Sequence, residues 1–404
     1  MKNINNYLRG ILVGICLLLP LQVAADDATA NELLTSVSSA MRTLATLNLT
    51  ASTDALQAAA TSCVAVGQGI VSLNVLPNAA LNAATASSMV HSAALAVSRM
   101  VNGKNATAST NLAALQGAQA LAGALATIAA SGSLTTEISA TCVQASSVLA
   151  NIVGQLVDAE GVAVELVGAA IDLVDALCSL LNVLAGSSAS NASILNQVVS
   201  VIDRFATSLD AIASNSTDVA VLARVSQELT PVLALAGAVV GNNAVSKGVI
   251  AGLSSTMAML VRCIKVDFFG SNLANGVVIK ALLDSCLGLV AVANAIVVLP
   301  EYASIAANKK TVFFSVYSLA NTMIQNGVLI DADTAIMAAL AADIVSMVAV
   351  LTGLAAQWQV SLNAAITTAA QDACDAVIAS PTIPNAQAAG AAMGAFASAL
   401  QQAL

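Results

Sequence analysis

Few side chains in this chain could do chemistry: one histidine, seven cysteines and a thin scatter of carboxylates. His91 lies in Met89-Val-His-Ser-Ala-Ala-Leu95, a run with helical patterning. A Ser-His-Asp triad needs an imidazole oriented by an acid and paired to an exposed nucleophile, and no Gly-x-Ser-x-Gly motif occurs. No Cys-x-x-Cys or His-x-x-x-His spacing gathers ligands for zinc. Asp331-Ala-Asp333 has a spacing used for divalent ions, but it precedes Thr334 and an apolar run, where acids favour a helix N-terminus. No Gly-rich loop with an adjacent Lys-Ser/Thr cradles a phosphate. Trp358, the sole tryptophan, reads as a core or interface anchor. The expectation is a protein with no catalytic, cofactor-binding or metal-ligating residues, and not an enzyme.

The cysteines carry a different chemistry. Lys2 and Arg9, the apolar run Ile11 to Leu19, and Val23-Ala24-Ala25 have the three parts of a secretory signal, cleaved after Ala25. Cys16 leaves with that leader, and six cysteines remain. An even number in an exported chain favours disulfides over free thiols, although six cysteines allow 15 connectivities. Buried thiols are the alternative, because Cys packs well as a small hydrophobe.

A repeat suggests one connectivity. Ser62-Cys63, Leu76-Pro77, Ser92 and Met100 recur at Ser285-Cys286, Leu299-Pro300, Ser315 and Met323. The offset is 223 throughout, and it sets His91 opposite Phe314, a packing residue. Cys63 and Cys142, Cys178 and Cys263, and Cys286 and Cys374 stand 79, 85 and 88 residues apart. One bridge per unit follows as the preferred pairing. Each would close a loop of about 80–90 residues, on the order of 4–5 kcal/mol in the chain-entropy picture.

The elements around these residues read as helix almost throughout. Alanine and leucine dominate, and breaks fall at Asn102-Gly103, Ser131-Gly132-Ser133, Gly186-Ser187-Ser188, Gly241-Asn242-Asn243, Gly270-Ser271-Asn272 and Ser380-Pro381. Asp54, Asn215 with Asp218, and Asp333 suit helix starts. From Thr135 to Leu184 the apolar residues Leu149, Ile152, Val153, Leu156, Ala163, Val167, Ala170, Ile171, Val174 and Leu181 share one side at 100° per residue. Asp158, Glu165, Asp172 and Asp175 take the other. Gly154, Gly161 and Gly168 form a stripe beside the acids that would admit another backbone, and the stretch is either one long helix bent near Gly161 or two helices, the preferred reading. Phe268-Phe269 and Phe313-Phe314 concentrate aromatic bulk towards the third unit.

The fold expected is all-α: a tandem array of three related helical units, each a bundle of about 110 residues. The segments are a signal peptide at 1–25, units at 26–145, 146–268 and 269–380, and an Ala-rich tail at 381–404.

Composition narrows the partners. The net charge is −9, and −11 once Lys2 and Arg9 are removed; 2% of residues are aromatic. That offers nucleic acid neither a basic patch nor stacking platforms, and it repels anionic lipid. A hydrophobic content of 58% with mean hydropathy +0.86 leaves ample surface to bury and excludes disorder. The most apolar runs, 287–299 and 344–356, are shorter than the roughly 20 residues of a membrane span. Asn-x-Ser/Thr sequons stand at Asn48, Asn105, Asn191 and Asn215, about the number chance provides, and permit N-glycosylation in a eukaryotic source.

Gln325-Asn-Gly-Val-Leu-Ile-Asp-Ala-Asp-Thr-Ala-Ile-Met-Ala-Ala-Leu340 resembles the helical repeat domains of spider egg-case and wrapping silks, with their Gly-Val-Leu-Asn-like turn and Ala/Leu/Ser helix. Val101-Asn-Gly-Lys-Asn-Ala-Thr107 is a poorer copy. The chain departs from the silk pattern in its six cysteines, its extra Val and Ile, and its lack of poly-Ala or Gly-rich blocks. The resemblance implies an extracellular helical structural protein. The function expected is therefore a secreted, self-associating fibre, coating or matrix component. A secreted helical container for a lipid or other apolar ligand is the alternative.

Overall fold

The computed structural model describes residues 28–74, 81–132, 134–157, 164–215, 334–357 and 361–403, with isolated positions between 221 and 239. Every regular element among them is an α-helix, so the all-α expectation holds. The chain divides into two compact units, residues 1–208 and 209–404. The signal region, the second copy of the 223-residue repeat and the boundary at 268/269 lie outside the described residues.

The first unit contains α1 (Ala28–Thr46), α2 (Thr53–Asn74), α3 (Ala83–Val101), α4 (Ala108–Ala130), α5 (Thr136–Val157), α6 (Val164–Ser187) and most of α7 (Ala192–Asn215). The expected boundary at 145/146 falls inside α5.

Its helices alternate between two layers. From α2 onward the broadest contacts join helices two apart in sequence: α2 with α4, α3 with α5, and α4 with α6. α7 continues the second layer, because Arg204 Nη1 donates to the Ser147 carbonyl at 3.1 Å and to Ser147 Oγ at 2.7 Å on α5. α1 lies along α2 and touches α3. One layer's helices begin at residues 53, 108 and 164, and the other's at 83, 136 and 192. The period is thus one helical hairpin of about 55 residues, half the unit length expected from the cysteines.

Local chemistry sets the helix ends. The Asn82 side chain accepts from Thr85 N at 2.8 Å to open α3. α4 opens on a capping box: Thr107 Oγ1 accepts from Thr110 N at 3.2 Å, and Thr107 N donates to Thr110 Oγ1 at 2.8 Å. Ser52, Thr135 and Asn191 cap α2, α5 and α7 in the same manner. Thr107→Ala removes one of these caps. It should cost about 1 kcal/mol, measured as a lower urea midpoint at unchanged slope. An unaltered midpoint would mean that tertiary packing alone fixes the start of α4.

The sequence-legible stripe is the core. Leu149, Ile152, Val153, Leu156, Val167, Ala170, Ile171, Val174 and Leu181 are all buried, whereas Glu165, Asp172 and Asp175 are exposed. α5 and α6 are two helices, as expected.

Of the expected glycines, Gly154 is not a point of close backbone approach, and Gly161 lies outside the described residues. A Cβ added to Gly154 would meet only Ser208 Oγ, at 3.4 Å. At Gly67 on α2 an added Cβ would strike the backbone carbonyl of Ala120 on α4, and at Gly117 on α4 it would lie 2.8 Å from Cys63 Cβ. The first layer is built on this Gly/Ala/Cys seam.

In the second unit, α8 (Thr334–Gln357), α9 (Ala364–Ala379) and α10 (Ile383–Ala403) pack consecutively, α8 on α9 and α9 on α10. Thr367, Ala370, Cys374 and Val377 line the buried face of α9, and Ala389, Met393, Phe396 and Leu400 that of α10. Asn385 Nδ2 donates to Ala376 O at 3.3 Å and Ser380 O at 2.8 Å, closing the corner. The expected tail is therefore a packed helix.

Candidate functional site

His91 sits midway along α3, half-buried, with Nδ1 enclosed and without a hydrogen-bond partner. Burial holds its pKa below the ordinary 6.5, because the charged imidazolium is poorly solvated there. An unfolded imidazole takes up a proton below pH 6.5 that the folded one resists, so this group's contribution to stability is lost as the pH falls. Asp331, Asp333 and Trp358 lie outside the described residues. No group of three or more His, Cys, Asp or Glu suited to a metal ion occurs among the described residues.

Cys63, Cys142 and Cys374 are buried free thiols, and Cys178 is buried and in no disulfide. The bridge expected between Cys63 and Cys142 is not formed. Cys63 lies on α2, in the layer of α4 and α6; Cys142 lies on α5, in the other layer, and α2 and α5 share no substantial interface. Cys63 instead fills the space left by Gly117 of α4, the small-hydrophobe role. Cys178 and Cys374 are likewise unbridged, and their expected partners Cys263 and Cys286 lie outside the described residues.

Burial pushes the Cys63 and Cys142 thiols up to about 12. Burial, then the neighbouring Asp375 charge, raises Cys374 to about 11. Thiolate is the reactive form, so these groups are poor nucleophiles at neutral pH. In the native protein at pH 8, Cys63 and Cys142 should resist alkylation and react fully in urea. Their contribution to stability is complete below pH 9, where the thiol is protonated folded and unfolded alike. It declines as the pH rises towards 12, because the unfolded chain ionises first. Peptide mapping without reduction decides the pairing: a recovered Cys63–Cys142 disulfide would overturn the assignment as free thiols.

The polar residues with specific work tie one helix or connection to another, which spacing arguments missed. Asn102 Nδ2 donates to Gln155 Oε1 at 3.1 Å, Gln119 Nε2 to Ala169 O at 3.1 Å, and Asn105 Nδ2 to Ala51 O at 2.9 Å. One signal for them was present. Arg204 is the only basic residue between Lys104 and Arg224, and a lone cation on an apolar helix needs a partner.

No family model matches the chain, and neither the curated proteins nor the solved structures yield a match.

Proposed function

We propose that this chain is a secreted, non-catalytic helical structural protein that self-associates into a fibre, coating or matrix, of the silk-like kind its Ala-rich turns and helices resemble. The observation that carries the reading is the stack itself. Successive hairpins join through a Gly/Ala/Cys seam and a few polar ties, and among the described residues the histidine is half-buried and the cysteines are buried rather than gathered at a surface. Such layered stacking is the construction principle of extended repeat scaffolds. The exposed positions favour self-association: many are Ala, Ser, Thr, Asn and Gln. Ala and Ser lose little side-chain freedom on contact, and little charge opposes the approach of a second copy.

Two other readings are less well supported. A container needs space between its helices, whereas α2 and α4 meet backbone to backbone at Gly67 and Ala120. Four helices, α2, α4, α5 and 165–187 of α6, are long and apolar enough to cross a membrane. The outward positions of three of them, however, carry Gln57, Thr61 and Gln68 on α2, Gln144, Asn151 and Gln155 on α5, and Glu165, Asp172 and Asp175 on α6. Those side chains suit water rather than lipid tails.

The test is the native state of the chain produced with its own leader. Light scattering on secreted material should show concentration-dependent assemblies, and organic extraction should yield no stoichiometric lipid. A secreted monomer carrying one lipid per chain would establish the container instead. Retention in a membrane fraction resistant to alkaline wash would establish the spanning reading.

A further inference from the structure

The sequons cease to be equivalent in the folded chain. Asn48, Leu49 and Thr50 are all exposed, in the connection between α1 and α2. Asn48 Oδ1 accepts two hydrogen bonds, from Thr50 N at 2.9 Å and Thr50 Oγ1 at 2.8 Å. Among the described residues its Nδ2 makes no hydrogen bond. Asn105 differs on both counts. Its Nδ2 is committed to Ala51 O, and the Thr107 hydroxyl belongs to the capping box of α4. Asn191 is half-buried and uses its Oδ1 to cap α7 through Ile194 N at 3.2 Å, while Ser193 already lies within that helix.

We propose that Asn48 is the residue to which an N-linked oligosaccharide is attached, and that Asn105 and Asn191 stay bare. The proposal rests on the export reading above, because the glycosyl donor and transferase belong to a secretory compartment. The chemistry explains the choice. An amide nitrogen is a weak nucleophile because its lone pair is delocalised into the carbonyl. Two donors on Oδ1 stabilise the negative charge that this oxygen takes on as Nδ2 surrenders a proton.

Transfer from a lipid-pyrophosphate-linked oligosaccharide then balances. The Nδ2–C1 bond forms and the C1–O bond to the pyrophosphate breaks. The lipid pyrophosphate leaves with the electron pair, and the Nδ2 proton passes to the transferase. Both hydrogen bonds at Asn48 span two residues, so a nascent chain can form them before the helices pack.

The experiment expresses the full chain in glycosylating eukaryotic cells under two leaders, its own and a borrowed cleavable one. Glycopeptides are read from medium and cell-associated material after enzymatic deglycosylation in heavy-oxygen water, which marks each former glycan site as Asp. Asn48 should be marked under both leaders. Asn48→Gln and Thr50→Ala should each abolish its mark, Thr50→Ser should retain it in part, and Asn105→Gln should change nothing. Marking of Asn48 under the borrowed leader alone would sink the export reading and leave the site assignment standing. A bare Asn48 under the borrowed leader, or marking of Asn105 or Asn191 in its place, would overturn the assignment itself.

Discussion

Gly67→Ala should destabilise the first unit by about 1–3 kcal/mol, the usual cost of overpacking, although alanine is the better helix former. The added methyl has nowhere to go. It would strike the Ala120 backbone carbonyl and lie 2.9 Å from the Ala120 Cβ, and backbone cannot swing aside as a long side chain can. α2 and α4 must separate, loosening the Cys63–Gly117 contact on the same seam. The same substitution at Gly123 should act in the opposite direction. Gly123 is exposed on α4, and a Cβ there meets nothing within 4 Å, so Gly123→Ala should gain about 0.5–1 kcal/mol from helix propensity. Urea denaturation followed by far-ultraviolet circular dichroism measures both. Equal effects at the two positions would show that α2 and α4 do not approach as closely as described.

The largest single loss is expected at Phe205. It lies on α7, is 0% exposed, and is the only aromatic residue between Tyr7 and Phe268. The described residues of the first unit hold no other Phe, Tyr or Trp to lean into the space vacated. Phe205→Ala should cost about 3–5 kcal/mol, a transfer loss plus a cavity that the helices fill incompletely. Against a total stability of about 5–15 kcal/mol for a typical domain, that is enough to unfold a marginal unit. Phe205→Leu should recover most of the loss. Trp358 belongs to the other unit, so tryptophan fluorescence and circular dichroism should report separate transitions in the variant. Coincident transitions would show that the two units unfold together.

Much of this helical architecture was legible in the residues. The breaks expected at Asn102, Ser131, Gly186 to Ser188 and Ser380 coincide with the ends of α3, α4, α6 and α9. Gly132 there adopts φ 72°, which glycine alone takes without strain. The buried stripe from Leu149 to Leu181 followed from 100° periodicity, because a helix half in water must sort its residues by side. The connection at residues 47–52 contains neither glycine nor proline and is held by the Asn48 turn, so only Asp54, in the first turn of α2, marked the restart. Most helix caps were also hidden, because Ser, Thr and Asn are so common that a capping residue looks like any other.

The layers were illegible for a deeper reason. Which glycine admits a neighbouring helix depends on crossing points between segments some 50 residues apart, and Gly67 carries no local mark that separates it from Gly154. The cysteines misled because their count and spacing suit bridges equally well as seam-filling thiols. Only the assignment of Cys63 and Cys142 to different layers separates the two.

The alternating layers also govern how the chain can fold. The long-range polar ties of the first unit span 50, 53, 54 and 57 residues, each about one hairpin period. No tie within the first unit waits for a distant terminus. Each hairpin can dock as soon as the one before it has formed, so the first unit can be completed in order during synthesis, with only its growing edge exposed to its neighbours.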